Sequence, residues 1–374
     1  MLERDSKFLE EAFKQYYFDN FELIHVPDRT PEREFGYKKF NSGMTRHISL
    51  KTNKDLHLML MANIPSDVFC SNAYYTFPNM PMAEKDWKEA DLIFDIDAKD
   101  LNLTCRKEHT FIKCLTCGET SLMQNACSKC KSNKIEHISI PCQNCVSRLK
   151  KEVLDLKNIL TSDLQIKNES ITIYFSGNEG FHLYVKSSQY NNLGSRERSD
   201  LIDYIMFRRT IPEAFGFKKN NPSRSLFPEF DEPGWRGRVA DELFGPKSRR
   251  SKAITKVISD GYSAYRQKLE EISKNSIGIK IDPNVTMDIH RIFRLAGSLN
   301  SKSGLAKLIC TNIEEFNPYT DACLIDDEPV EISANCPIEF MLKNKKFGPY
   351  LKQKITVPKY AAVYMICKNI ANLA

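Results

Sequence analysis

Seven of the chain's twelve cysteines lie from Cys105 to Cys145, and six of those seven fall into three Cys-x-x-Cys pairs. Disulfide frameworks and buried thiols have no need of that spacing, whereas two such knuckles close a tetrahedral metal site. Cys114-Leu115-Thr116-Cys117, followed after nine intervening residues by Cys127-Ser128-Lys129-Cys130, is the arrangement of a zinc ribbon. Cys105, His109, Cys142 and Cys145 flank it and supply a second four-ligand set, with the ribbon inserted into its loop. A catalytic zinc keeps one coordination position open, so two sets of four protein ligands predict structural Zn2+, one or two ions. Whatever else the chain builds must fold around a zinc-binding module at 105–145.

The rest is long enough to do so. Of the 374 residues, 41% are hydrophobic and 27% charged, the balance of a globular protein with a sizeable core. A net charge of +6 permits a nucleic-acid or nucleotide partner without requiring one. No apolar run approaches the roughly 18 residues that would span a bilayer, and the N-terminus has no apolar signal core. The expectation is a cytoplasmic protein, or a nuclear one in a eukaryote, that is neither secreted nor in a membrane.

Directly before the cysteines stands Asp91-Leu92-Ile93-Phe94-Asp95-Ile96-Asp97, a short apolar run bounded by acids, which reads as a buried strand. Side chains alternate along a strand, so Asp95 and Asp97 share a face about 7 Å apart. Two carboxylates so placed repel one another unless a divalent cation held by oxygen ligands neutralises them, or unless they sit solvated at a strand exit. A second strand, Ile171-Thr172-Ile173-Tyr174-Phe175, ends in Ser176-Gly177-Asn178-Glu179-Gly180-Phe181-His182 and returns through Leu183-Tyr184-Val185. That turn exposes backbone N–H groups and a hydroxyl suited to phosphate oxygens, or it is a plain β-turn beside a satisfied histidine. Further on, Asp282 offers a third carboxylate. Arg291 and Arg294, three apart on what reads as a short helix, share one face, and Lys302 follows in a Ser/Gly turn.

Between these motifs the pattern predicts an amphipathic helix over Phe8–Tyr17 packed on a sheet, and an extended Met44–Leu50 carrying Arg46. Residues 53–90 read as a short helix and a Pro/Met-rich connection, and Leu149–Leu164 as a long helix. Residues 191–275 read as a variable helical insertion, polar around Asn220-Asn221-Pro222-Ser223-Arg224 and helical again from Ile254 to Ile272. Asp288 and His290 read as helix-surface residues, and Ala361–Leu373 as an apolar last helix.

Asp95-x-Asp97, Ser176-Gly177-x-x-Gly180-x-His182, Asp282 and the Arg294–Lys302 stretch, in that order and interrupted by a zinc module, resemble the small catalytic subunit of archaeal and eukaryotic DNA primases. The likeness runs from about Phe8 to the C-terminus. It implies an α/β (α+β) primase core of mixed sheets flanked by helices, formed by residues 1–104, 146–190 and 276–374. It implies template-directed synthesis of short primers from NTPs or dNTPs on single-stranded DNA, with a large subunit as heterodimer partner and other replication proteins nearby. Asp95, Asp97 and Asp282 match the family's acids for catalytic Mg2+ or Mn2+. Ser176, Gly177 and His182 match the turn that holds the incoming triphosphate; Arg294 and Lys302 match its basic clamp, and Arg46 and Arg291 fall at further basic positions. Two residues depart. Glu179 stands where relatives commonly carry arginine, a charge that Arg46 or Arg291 would have to offset, and Asn300 stands where they commonly carry histidine. Two other readings compete: a stand-alone primase-polymerase of repair or mobile elements, and a nucleic-acid-binding zinc protein with a weakened site.

Overall fold

A computed structural model describes residues 2–24, 26–122, 124–219 and 223–374. Helix α1 (Glu3–Asp19) buries Leu9, Phe13, Tyr16 and Tyr17 on one face, and Tyr16 donates a hydrogen bond to the Gly297 carbonyl. Strands β1 (Phe35–Lys38) and β2 (Met44–Ile48) precede helix α2 (Asn53–Asn63), which opens on a Thr52/Asp55 capping box. Strand β3 (Asp67–Ser71) and the hairpin β4 (Ala73–Tyr75) and β5 (Trp87–Ala90), whose loop holds the Pro/Met-rich stretch at 77–82, lead into β6 (Leu92–Asp97).

The cysteine module contributes β7 (Thr110–Cys114), β8 (Thr120–Leu122) and β9 (Ile135–Ser139), a sheet ordered β8-β7-β9. Helix α3 (Gln143–Ser162) then buries Leu149, Val153, Leu156 and Leu160, and β10 (Ile171–Phe175) and β11 (Gly180–Val185) form the expected hairpin. In the insertion run α4 (Ser195–Ile205), α5 (Gly234–Phe244), α6 (Arg250–Asp260) and α7 (Tyr262–Ile272). The single helix expected over Ile254–Ile272 is thus two, broken at Gly261. Asn220, Asn221 and Pro222 lie outside the described residues. The insertion is tied to the core by a fully buried side chain: Arg198 of α4 donates to the carbonyls of Ala90 (2.7 Å) and Asp91 (3.0 Å) at the foot of β6.

The remainder comprises α8 (Pro283–Met287), β12 (Ile292–Arg294), β13 (Pro329–Cys336), β14 (Phe340–Leu342), β15 (Lys345–Phe347), β16 (Tyr350–Pro358), α9 (Lys359–Cys367) and β17 (Ala371–Leu373). Two expectations change here. Residues 292–294 form a strand paired with β3, so Arg291 and Arg294 do not share a helix face, and Asp288 and His290 lie in the connection between α8 and β12. The last helix stops at Cys367; Asn369 turns with φ 59°, and the chain returns as β17 along β13.

Two antiparallel sheets, β12-β3-β1-β2 and β10-β11-β6, share one continuous apolar core with α1, α3 and α9. No helix among the described residues is long and apolar enough to cross a membrane.

Candidate active site

Strand β6 has two dissimilar edges. On one, β11 pairs Gly180 with Asp97 and His182 with Asp95. On the other, Asp282 donates its backbone N–H to the Asp95 carbonyl (3.0 Å) and Thr286 its hydroxyl to the Ile93 carbonyl (2.8 Å). The three acids are thereby collected at one strand end, although they do not close into a single-ion cage like those of the cysteines. Asp282 also caps α8, its carboxylate accepting from the Asn284 N–H (3.0 Å).

Burial and the neighbouring Asp97 raise the Asp95 carboxyl to about 8. Its Oδ1 makes no hydrogen bond, although His182 Nε2 stands 3.3 Å away, and the His182 Nδ1 is also without a partner. Burial, reinforced by Lys307, Arg294 and Arg291, pushes the imidazole well below its usual range, so the His182–Asp95 contact is not an ion pair. Among the described residues, the ammonium that ion-pairs with these acids is that of Lys99, 3.0 Å from Asp97 and largely exposed. A buried, unsatisfied carboxylate oxygen beside two further acids fits a divalent cation, for which Lys99 partly stands in.

Why residue 180 is glycine follows from this pairing. A Cβ there would lie 2.2 Å from Asp97 Oδ1 and 2.7 Å from the Ile96 carbonyl, so only a bare Cα leaves room for the carboxylate. Gly180→Ala is expected to keep the fold and lower activity by about 10²-fold, the cost of displacing a reacting group by roughly an ångström. Activity within a few-fold of wild type would show that Asp97 does not need this position.

The Ser176–Glu179 turn is backed by a second one. The Asn300 side chain packs on Gly177, Ser303 donates to the Gly177 carbonyl, and Asn300 Oδ1 accepts from the Lys302 N–H (3.0 Å). Ser176 and the exposed Lys302 thus belong to one surface, and the asparagine at 300 shapes the lysine's turn. Arg294 secures that turn from beneath: its guanidinium binds Asp67 Oδ1 (2.6 Å) and the Leu299 carbonyl (2.6 Å), and the same Asp67 oxygen accepts from the Ser301 N–H. Arg46 lies on edge strand β2 with its guanidinium bidentate on the buried Glu34, and Arg291 faces Asp95 and His182 electrostatically.

Glu179 needs neither Arg46 nor Arg291. Its carboxylate points into the junction with the cysteine module, 2.9 Å from Lys368 and 3.5 Å from Arg106, and these cations hold it below the usual carboxylate range against burial. Removing it strands two largely buried cations, so Glu179→Ala should cost about 2 kcal/mol. An unshifted denaturant midpoint would mean that the pairs are energetically idle.

The two cysteine clusters are both assembled. Sγ–Sγ distances are 3.5 Å for Cys114–Cys130, 3.6 Å for Cys117–Cys127 and 3.7 Å for Cys105–Cys145, with His109 Nε2 3.2 Å from Cys145. Zn–S bonds of about 2.3 Å place tetrahedral corners roughly 3.8 Å apart, so both clusters could hold zinc. Knuckle N–H groups favour the thiolates, holding Cys114 down to about 6 and Cys127 below its usual range.

Sequence reasoning missed Lys307. Wholly buried, it donates to Tyr184 Oη (2.8 Å) and the Arg294 carbonyl (2.8 Å), and burial lowers its ammonium to about 7. A lone lysine in the apolar run Leu305-Ala306-Lys307-Leu308 was the available signal.

A family model described as DNA primase small subunit matches residues 130–311. The chain is 61% identical to a DNA primase small subunit of Nitrosopumilus maritimus and 51% identical to one of Cenarchaeum symbiosum, in each case over 100% of both chains. It is 28% identical to that of Archaeoglobus fulgidus over 98% of each. Among solved structures, the polymerase domain from Mycobacterium tuberculosis Ligase D in complex with DNA aligns with 82% of this chain and 83% of its own at 9% identity and a TM-score of 0.38, a likeness too distant to argue from.

Proposed function

The chain belongs to the DNA primase small-subunit family, and from that premise we propose that it is the catalytic subunit of a primase, joining nucleoside triphosphates into short primers on a single-stranded DNA template. The observation that carries this is the buried, unsatisfied Asp95 carboxylate at the meeting point of two unlike surfaces. On the β11 side lie the Ser176 turn and Lys302; on the other lie Asp282 and α8.

Asp95, Asp97 and Asp282 would hold Mg2+ or Mn2+, which when bound activates a 3′-hydroxyl and offsets charge on the leaving oxygens. The chain's own residues do the rest. The Ser176 hydroxyl, the turn's N–H groups and the Lys302 ammonium would bind the triphosphate, and Lys302 would balance charge on departing pyrophosphate. Arg294 and Asp67 act beneath them, fixing the turn that carries Lys302. Neutral His182 supports Asp95 from the paired strand without competing for it as a cation. The zinc sites, closed by four protein ligands each, are assigned to structure. A large subunit is the proposed partner.

The weakened-site reading drew on Glu179 and Asn300. Glu179 is satisfied by Arg106 and Lys368, and Asn300 shapes the lysine turn, so neither leaves an unbalanced charge or an unsupported turn at the site. The test is synthesis by the purified chain on unprimed single-stranded DNA with labelled NTPs or dNTPs and Mg2+ or Mn2+, alone and with a large subunit. Short products absent from an Asp95→Ala/Asp97→Ala control support the proposal. No product in either format would move the weight to nucleic-acid binding without turnover, and efficient priming by the chain alone would favour the stand-alone enzyme.

A further inference from the structure

A groove of about 1250 Å³ opens beside Asp282 and runs between the core and the helical insertion. Six cations line it, Lys99, Arg208, Arg209, Arg266, Lys274 and Lys280, against three acids, Asp100, Glu270 and Asp282. Lys99 is spoken for by Asp97, Arg209 by Asp203 (3.0 Å) and Arg266 by Glu270 (3.1 Å). Arg208, Lys274 and Lys280 have no ion-pair partner among the described residues, and Arg208 and Lys274 are exposed. Unpaired cations gathered on one concave wall, next to a catalytic acid, ask for a polyanion.

The wall is built rather than loose. Phe207 and Arg209 hold positive φ (52° and 53°), a conformation bulky side chains keep only when their surroundings impose it. The Phe207 ring is buried 4.7 Å from Trp235 and 5.3 Å from Phe215, and Ser273 donates to the carbonyls of Phe207 (2.6 Å) and Met206 (3.3 Å). The two segments meet so closely at Gly278 that a Cβ there would lie 2.4 Å from the Ser273 carbonyl and 2.5 Å from that of Met206. Arg208 and Lys274 are therefore displayed from opposite, mutually pinned segments.

The groove's place relative to β6 identifies the strand that would occupy it. The triphosphate surface lies on the edge paired with β11, and Asp282 lies on the opposite edge. In-line transfer sets the attacking hydroxyl opposite the leaving group, so a 3′ terminus must approach from the Asp282 side. We propose that this groove holds the sugar–phosphate backbone of the growing primer behind its 3′ end, an inference that rests on the primase reading of the carboxylate site.

The test uses the full chain without nucleotide, so it does not depend on turnover. Binding of a fluorescent primer annealed to a DNA template is followed by anisotropy across a salt series. Arg208→Ala/Lys274→Ala should bind about tenfold more weakly, with a log–log salt slope smaller by about 1.5, the value for two lost phosphate contacts. Arg208→Lys/Lys274→Arg keeps the charge and should restore both. In parallel, the photoreactive residue benzoylphenylalanine at the lining position Asn275 should cross-link to the primer near its 3′ end. Wild-type affinity and slope in the alanine variant, or cross-links to the template strand alone, would overturn the assignment. A wild-type chain that cross-links the primer yet makes no product would count against the primase reading and leave the groove standing.

Discussion

Asp95→Ala or Asp97→Ala is expected to lower primer synthesis by roughly 10³-fold or more while leaving the chain folded. The carboxylates would hold the ions that offset transition-state charge, and losing about 4 kcal/mol of that stabilisation corresponds to three decades in rate. Stability should move the other way, because two acids on one strand face are a liability until a cation arrives. Its sign can be worked out. The folded-state carboxyl of Asp95 is raised to about 8, above an unfolded value near 3.9. Between those values the folded state binds more protons than the unfolded one, so this residue's contribution to stability falls as pH rises from about 4 to about 8. Asp95→Asn removes the penalty. Without divalent ions it should melt above wild type at pH 8 and converge with it near pH 4; with Mg2+ or Mn2+, wild type alone should gain. Thermal melts in both formats check this. A variant that melts below wild type at pH 8 without metal, or synthesis retained within a few-fold, would remove the case for a metal-binding carboxylate pair.

The acid-bearing strand β6 was legible because local and global demands agree there. Leu92–Phe94 and Ile171–Phe175 alternate or run apolar over strand lengths, and the acids and turn residues sit where those runs stop. The clusters at Cys105–Cys145 were legible because ligand spacing is a local property. Legibility ended where tertiary pairing decides. Arg291–Arg294 offers only Ile292 and Phe293 as pattern, and its pairing with Ser71–Phe69 makes it a strand. The surroundings of Glu179 illustrate the same limit: its partners lie 73 residues before it and 189 after it, so its charge reads as a defect in sequence and as a satisfied junction in the fold. Lys307 is half legible: its apolar run hints at burial, but nothing local reports that Tyr184 and the Arg294 carbonyl will receive its ammonium.

That junction makes the two cysteine clusters unequal, and disrupting them should have different consequences. Cys117 and Cys130 of the ribbon are exposed, and the ribbon meets the body through the packing of Phe111 and Ile138 and through the Lys113–Asn369, Glu136–Asn369, Thr120–Asn335 and Glu119–Lys352 contacts. The other site is built into the core. Cys145 sits in the first turn of α3, Arg106 follows Cys105 directly, and Arg106 holds Glu179, whose carbonyl accepts from Ala98 just past Asp97. Zinc at this site would therefore brace both the Ser176 turn and the end of β6. Structural zinc is worth about 10–16 kcal/mol to isolated finger peptides, and a domain with its own core should lose only a part of that, still several kcal/mol. Cys145→Ser is expected to lower the melting temperature sharply, release one zinc and raise the KM for nucleotide. Cys117→Ser is expected to release the other zinc and expose β7–β9 amides to exchange, with nucleotide KM near wild type, because the ribbon can open without disturbing Arg106. Zinc content, melting curves, amide exchange and KM together separate the cases. Equal effects of the two substitutions on KM would show that Arg106 and Glu179 do not link the second site to the triphosphate turn, and unchanged melting after complete zinc loss from Cys145→Ser would remove zinc from the folding of this core altogether.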